Sequence, residues 1–387
     1  MKNKKIIWIV LLLGFLWFPL GRFMLAAPGD EPDTGIVPEL KLFSKALGVI
    51  LEGYVSDLKP RELLYQAVRG MLSTLDPYSQ FINQEQYPLL KIDMNGEYSG
   101  IGAILEIVEE FVAIKEIQHG TAAEVAGLLI HDKILKVDGV SVKKKTIPEV
   151  ASLLRGEENT KVVLTVQREP GKKILDFTVI RKKIEISAVN DVRIVGKAIG
   201  YMRIDNWQEH TVGQADIAIA KLTKNGMKAL VIDLRNNEGG LMASAIALAE
   251  RFLPKDKKLI SVDSKIDVQK KQFYSPGEKT IPDCRLVVLV NERSASASEI
   301  FSASIQDNGR GTILGVKTFG KASVQSVIPF DEHTAIKLTT ARYVSPNGRV
   351  IDGIGIQPDV VVEYGKSGDS SEDQQIRKAL DLLKEYM

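Results

Sequence analysis

The chain has 387 residues, enough for two or three domains, and its 44% apolar and 26% charged residues are an ordinary globular balance. With 51 Lys and Arg against 49 Asp and Glu the net charge is +2, which gives no electrostatic case for nucleic acid or another polyanionic partner. One cysteine, Cys284, allows no intrachain disulfide, and His119, His131, His210 and His333 show no HExxH spacing, so neither a bound metal nor another cofactor is expected.

Lys2, Lys4 and Lys5 precede the apolar run Ile6 to Leu20; Gly21, Arg22 and Phe23 to Ala27 follow, then Pro28 and an acidic stretch. A basic start and an apolar run address a chain for export. Two readings stay open for residues 1–27. A signal cleaved after Ala27 has Leu25 where signal peptidase prefers a small residue, and an uncleaved anchor over residues 6–27 reaches the roughly 20 residues that a membrane helix needs. In both, the remainder is expected outside the cytoplasm, in the periplasm or another extracytoplasmic space.

Residues 28–93 read as a linker and a helical region. Leu40, Leu42, Phe43, Leu47, Ile50 and Leu51 recur near the helical period, as do Leu63, Leu64, Ala67, Val68, Met71 and Leu75 after Pro60. Asp76-Pro77 closes the second helix. So small a pair is expected to pack on a neighbour or make a homo-oligomer contact.

Over residues 94–183 the pattern changes to short strands, Ile101 to Ile107, Val112 to Ile117, Lys133 to Val137, Val162 to Gln167 and Leu175 to Ile180. Thr146-Ile-Pro-Glu149 is a capping box that opens a helix, and Gly156 ends it. Ser99-Gly-Ile-Gly102, His119-Gly-Thr-Ala-Ala-Glu-Val-Ala-Gly127 and Asp132-Lys-Ile-Leu-Lys-Val-Asp-Gly139 together resemble a PDZ domain. The resemblance implies a loop and edge strand, Gly100, Ile101, Gly102, Ala103 and Ile104, that receive a peptide's C-terminal carboxylate and backbone. Val150 and Leu153 or Leu154 would face the groove, and Arg155 stands at the helix C-terminus.

Residues 184–364 alternate strands (Ala198 to Ile204, Ala229 to Leu234, Arg285 to Val290) with helical segments (Thr211 to Leu222, Met242 to Phe252), the pattern of an α/β core; residues 365–387 read as a C-terminal linker and helix. Asp233-Leu-Arg-Asn-Asn-Glu-Gly-Gly240 follows a strand directly, a turn whose amides can face a negative atom. Ser296-Ala-Ser-Glu299 fits a capping box, so Ser296 alone is accounted for as a helix cap, and Lys321, in an expected strand, as a solvated lysine.

Taken in order, Asp233 to Gly240, Ser294 to Glu299, Gln306 to Arg310, Thr318 to Lys321, Val324-Gln325, Lys337 to Tyr343 and Gly353 to Asp359 resemble the C-terminal processing peptidases, also called tail-specific proteases. The resemblance implies a multidomain α/β fold: a serine-protease core with a small strand-rich PDZ domain and an N-terminal helical segment. It implies Ser296 as nucleophile, Lys321 as base, Gln325 as third member, and the amides of Gly239 and Ala297 as oxyanion hole. Glu299 and Asp307 are expected to support geometry, and Thr318 to orient the lysine. If strand-borne, residues 321 and 325 share a face.

The implied substrates are proteins with accessible C-terminal tails, and an activating or adaptor protein is a further implied partner. Glu238, Arg293 and Ala322 depart from the family pattern, Ala322 standing where a left-handed glycine is usual. A second function class stays open, a PDZ-type scaffold or holdase with an inactive protease domain. Ser56-Asp-Leu-Lys59 and Ser141-Val-Lys-Lys144 match SxxK without its companion motifs.

Overall fold

A computed structural model describes residues 35–277, 281, 284–363 and 373–384. The signal or anchor of residues 1–27, residues 28–34 of the linker after it and residues 365–372 of the C-terminal linker and helix lie outside the described residues. Among the described residues no helix is long and apolar enough to cross a membrane. The chain falls into two compact units, one of residues up to Ile82 with Gln325–Thr339, the other of Asn83–Val324 with the residues from Thr340 onward.

The smaller unit holds the helices Ile36–Gly53 and Pro60–Ser73. Pro60 opens the second helix, where its missing N–H costs nothing. The strand Gln80–Ile82 pairs antiparallel with Ala335 to Lys337. Phe81 packs against Tyr65 and Phe330, and the Tyr65 hydroxyl donates to Asp331 Oδ2 at 2.6 Å. The first helix buries no residue; Ile36, Leu40 and Phe43 are exposed.

The larger unit contains a six-stranded sheet in the order Val189–Val195, Ile199–Ile204, Ala229–Asp233, Arg285–Val290, Thr312–Gly315, Val360–Val361. Only the first pairing is antiparallel. Its central strands read as unbroken apolar runs because both faces are covered. Leu230, Ile232, Val288 and Val290 face the core made with the helices Thr211–Lys224, Met242–Glu250 and Ala297–Asp307. Ala229, Val231, Val287 and Leu289 face the helix Gln374–Lys384 through Ala379 and Leu383. Alternate side chains thus serve opposite layers, as the strand period requires.

A second core lies in the strand-rich part of this unit, where the sheet runs Ala103–Val108, Phe111–Ile117, Lys133–Val137, Lys161–Arg168, Lys173–Ile180. The helix Ile147–Leu154 starts at the expected capping box: the Glu149 carboxylate accepts from the Thr146 N–H at 2.7 Å, and Thr146 Oγ1 accepts from the Glu149 N–H at 3.5 Å. A two-stranded ribbon, Glu97–Gly100 with Lys182–Glu185, joins this part to the rest of the unit, and Glu97 also meets His210 at 3.1 Å.

Candidate active site

The site grows from two neighbouring strand ends. Ala229–Asp233 and Arg285–Val290 are parallel and paired, so the turns that follow them emerge at the same carboxyl edge of the sheet, where open α/β sheets place their ligands. Buried polar groups then tie the turns together. Ser294 Oγ donates to the Leu234 carbonyl at 2.8 Å, the Ala295 N–H to the Asn237 carbonyl at 3.1 Å and Ser298 Oγ to the same carbonyl at 3.0 Å. Trp207, fully buried, donates from Nε1 to Ser298 Oγ at 2.9 Å. Behind the first turn, Arg235 is held by Asp233 and Asp373. Burial works against its charge, but these two carboxylates raise its pKa above the ordinary value.

Ser296 stands at the junction of strand edge and helix, half-buried, with φ 54° and ψ −113°. Such a backbone costs about 1–3 kcal/mol for a residue other than glycine and persists only where its surroundings fix it. Glu299 does much of that fixing. It is fully buried and accepts four hydrogen bonds: from the Ser296 N–H at 2.9 Å, Thr318 Oγ1 at 2.6 Å, the Gly320 N–H at 2.8 Å and the Lys321 N–H at 2.9 Å. Burial raises its pKa, and the four donors oppose that rise. Opposite it, the buried Tyr343 hydroxyl lies within hydrogen-bond reach of the carbonyls of both Ser296 and Lys321. One carboxylate and one phenol therefore hold the backbones of the serine and the lysine together.

Gly239 is the third element. A Cβ built on it would lie 2.8 Å from Ser296 Cβ and 2.9 Å from the Ala295 carbonyl, and its φ is 110°, so only glycine lets the two turns approach this closely. Its N–H donates to Asn237 Oδ1 at 3.0 Å. The Ala297 amide is the first of its helix and has no intrahelical acceptor. Gly239→Ala is expected to force the two turns apart and to lower stability by about 1–3 kcal/mol, measured by denaturant unfolding.

Other sequence expectations are placed differently. Lys321 is half-buried in the loop before the strand Ser323–Pro329 and not within a strand, so the alternation that paired residues 321 and 325 does not apply at its first member. The reason is local: Gly320 takes the left-handed turn, φ 92°, beside the Gly353 to Gly355 segment. Ala322 is not among the positive-φ residues; it is fully buried, so its lack of a glycine carries no strain. Gln325 belongs to the smaller unit, where Nε2 donates to Thr339 Oγ1 at 3.4 Å. Asp307 ends the helix that Ser296 starts. It accepts from Ser345 Oγ at 2.6 Å and the Asn347 N–H at 2.9 Å, and pairs with Arg349, which anchors the turn after the strand that bears Tyr343.

In the strand-rich part, Val150 and Leu154 are buried in its core; Leu153 is partly buried. Gly100 ends the ribbon strand, Ile101 is buried, Gly102 has φ 81° and packs against Thr121, Ala103 is half-buried and Ile104 is exposed. The carbonyls at the helix C-terminus are taken by Arg181, which donates to Leu153 and Leu154 at 3.0 Å each. Arg155 instead lies over the Tyr98 ring, 5.0 Å from its centre.

Tyr343, Asn237, Ser298 and Trp207 were not singled out as site residues from the sequence. Tyr343 lay in a quoted motif, but nothing local shows that a tyrosine at the ninth position of a strand will reach two distant carbonyls. Among the described residues no group of three or more His, Cys, Asp or Glu side chains is placed to hold a metal ion.

A parallel α/β core with a serine at a strained strand-to-helix turn and an added PDZ-like sheet defines the class, and comparison with known proteins defines the family. Residues 198–362 match Peptidase family S41, residues 114–168 a PDZ domain, and residues 27–86 the Activating protease CtpB N-terminal domain. A probable CtpA-like serine protease of Staphylococcus haemolyticus is 32% identical over 93% of this chain and 73% of its own length. One of Staphylococcus aureus N315 is 37% identical over 78% of this chain and 60% of its own. The chain belongs to the CtpA-like serine proteases of peptidase family S41. It spans about 60% of the length of the first curated relatives it matches. Among solved structures, the photosystem II D1 C-terminal processing protease is 28% identical over 84% of this chain and 93% of that one, with a TM-score of 0.47.

Proposed function

We propose that the protein is an exported serine endopeptidase that engages substrates near their C-terminus and cleaves peptide bonds through an acyl-enzyme on Ser296. The observation that carries the reading is the Glu299 carboxylate, which gathers the backbone N–H groups of Ser296 and Lys321 on one oxygen, Oε2. In the proposed reaction the neutral Lys321 amine takes the proton from Ser296 Oγ as that oxygen attacks the scissile carbonyl. The resulting oxyanion is met by the amides of Ala297 and Gly239, and the lysine ammonium returns its proton to the leaving amine. A water, deprotonated by the same amine, then frees the acyl group. For the oxyanion role the Gly239 N–H must leave Asn237 Oδ1, so the turn has a resting and an engaged orientation.

The PDZ match over residues 114–168 supports capture of a peptide, and residues 100–104, which precede the matched segment, are proposed as the loop and edge that take the terminal carboxylate; the CtpB N-terminal match supports an activating or adaptor partner at the N-terminal helices, where a homo-oligomer contact is also proposed. Export, with residues 6–27 as signal or inner-membrane anchor, belongs to the same reading. The test is hydrolysis of an unstructured peptide with an apolar C-terminus. Wild type is expected to cleave it and Ser296→Ala to lose all measurable turnover; equal rates would end the assignment, and binding without turnover would favour the scaffold or holdase.

A further inference from the structure

Glu238 and Arg293 stand beside the reacting centre and outside its buried network. Glu238 directly precedes Gly239, whose Cα abuts Ser296, and consecutive Cα atoms are about 3.8 Å apart. Arg293 lies three residues before Ser296. The two form an ion pair across the turns, Arg293 Nη2 to Glu238 Oε1 at 2.6 Å, with their side chains 60% and 69% exposed. Backbone bonds and the buried side chains of Asn237, Asn291, Ser294 and Ser298 already hold these turns together, so the exposed pair is not needed for their closure. On the neighbouring loop the exposed Phe319 is tied to this turn by its N–H, which donates to the Ser294 carbonyl at 3.1 Å. The exposed side chains on these turns and the neighbouring loop thus include an acid, a base and an aromatic ring.

An exposed pair is held weakly, because water and salt compete for both partners. A charged side chain arriving within reach can replace one member at little net cost, and an arrangement of this kind governs which partner is accepted more than how tightly.

We propose that Glu238 and Arg293 are specificity-determining residues that select on the charge of the substrate side chain next to the scissile bond. An acidic side chain takes Arg293 from Glu238, and a basic one takes Glu238 from Arg293. Paired, they balance, so the wild type accepts both signs. The inference rests on the peptidase reading above.

The test uses the full chain and three peptides identical but for Asp, Asn or Lys beside the scissile bond. The readout is the ratio of kcat/KM values within each enzyme, in which the fraction of active protein cancels, so partial misfolding of a variant cannot mimic the effect. Glu238→Gln is expected to raise the Asp-to-Lys ratio by about three- to tenfold and Arg293→Gln to lower it by a similar factor, both shifts shrinking as salt is raised. The double Gln variant is expected to treat the three peptides alike. Wild-type ratios in both single variants would overturn the proposal. Wild type that cleaves none of the peptides, like Ser296→Ala, would instead overturn the peptidase reading beneath it.

Discussion

Lys321→Ala is expected to lower kcat by about 10³–10⁴-fold while leaving the unfolding temperature near that of the wild type. The lysine's structural duties are carried by its backbone: its N–H donates to Glu299 and its carbonyl meets the Tyr343 hydroxyl. Truncating the side chain keeps both, so a large loss of rate with an intact fold isolates the amine as the functional group. Lys321→Arg is the sharper version. A guanidinium keeps the charge and length but does not give up its proton in the working range, so it cannot act as base, and the same loss is expected. If the arginine variant retained wild-type kcat, the residue would be serving as a fixed positive charge and not as a proton carrier. The comparison is made by steady-state peptide hydrolysis and thermal unfolding on the same preparations.

Glu299→Ala is expected to cost both stability and activity. It leaves four donors, the Ser296, Gly320 and Lys321 amides and the Thr318 hydroxyl, without their acceptor in a buried place. A single unsatisfied buried group costs about 1–3 kcal/mol, and with local relaxation the sum is expected at about 3–5 kcal/mol by denaturant unfolding. Activity falls with it, because the strained Ser296 backbone loses the bond that fixes its N–H.

Glu299 also gives a pH signature. Burial raises its pKa in the folded state, so folding favours the protonated carboxyl. This contribution is full below the ordinary carboxyl pKa of about 4.5 and is lost as pH rises through the raised folded value. Relative to Glu299→Gln, which cannot ionise, the wild type is expected to lose stability over that rise. A difference between the two proteins that stayed constant with pH would contradict the burial argument.

The sequence made the frame legible because its signals are local. Apolar runs such as Ala229 to Leu234 and Arg285 to Val290 are buried on both faces, and runs of that kind need no partner to be read. Thr146 to Glu149 declares a helix start within four residues. The site was harder. Ser296 to Glu299 showed the local half of Glu299's role, but its bonds to Thr318, Gly320 and Lys321 join segments about twenty residues apart, and spacing in a chain carries no distance in space. Lys321 was read into a strand because the alternating run Ser323–Pro329 begins just after it, whereas Gly320 turns the backbone first. Val150 and Leu154, expected beside a groove, pack in the buried core, and an apolar helix face looks the same in sequence whether it meets a ligand or its own core. Glu238 and Arg293 stood apart as departures from a pattern, and only the fold showed that they meet.

The central claim is that Ser296 is a nucleophile made reactive by Lys321. It is tested most directly by reacting the full chain with a fluorophosphonate and locating the adduct by intact mass and peptide mapping across a pH series. The account predicts one adduct across the series, on Ser296, formed at a rate slowed at least about 100-fold in Lys321→Ala. An adduct on another residue, or labelling of Ser296 at an unchanged rate in Lys321→Ala, would contradict it.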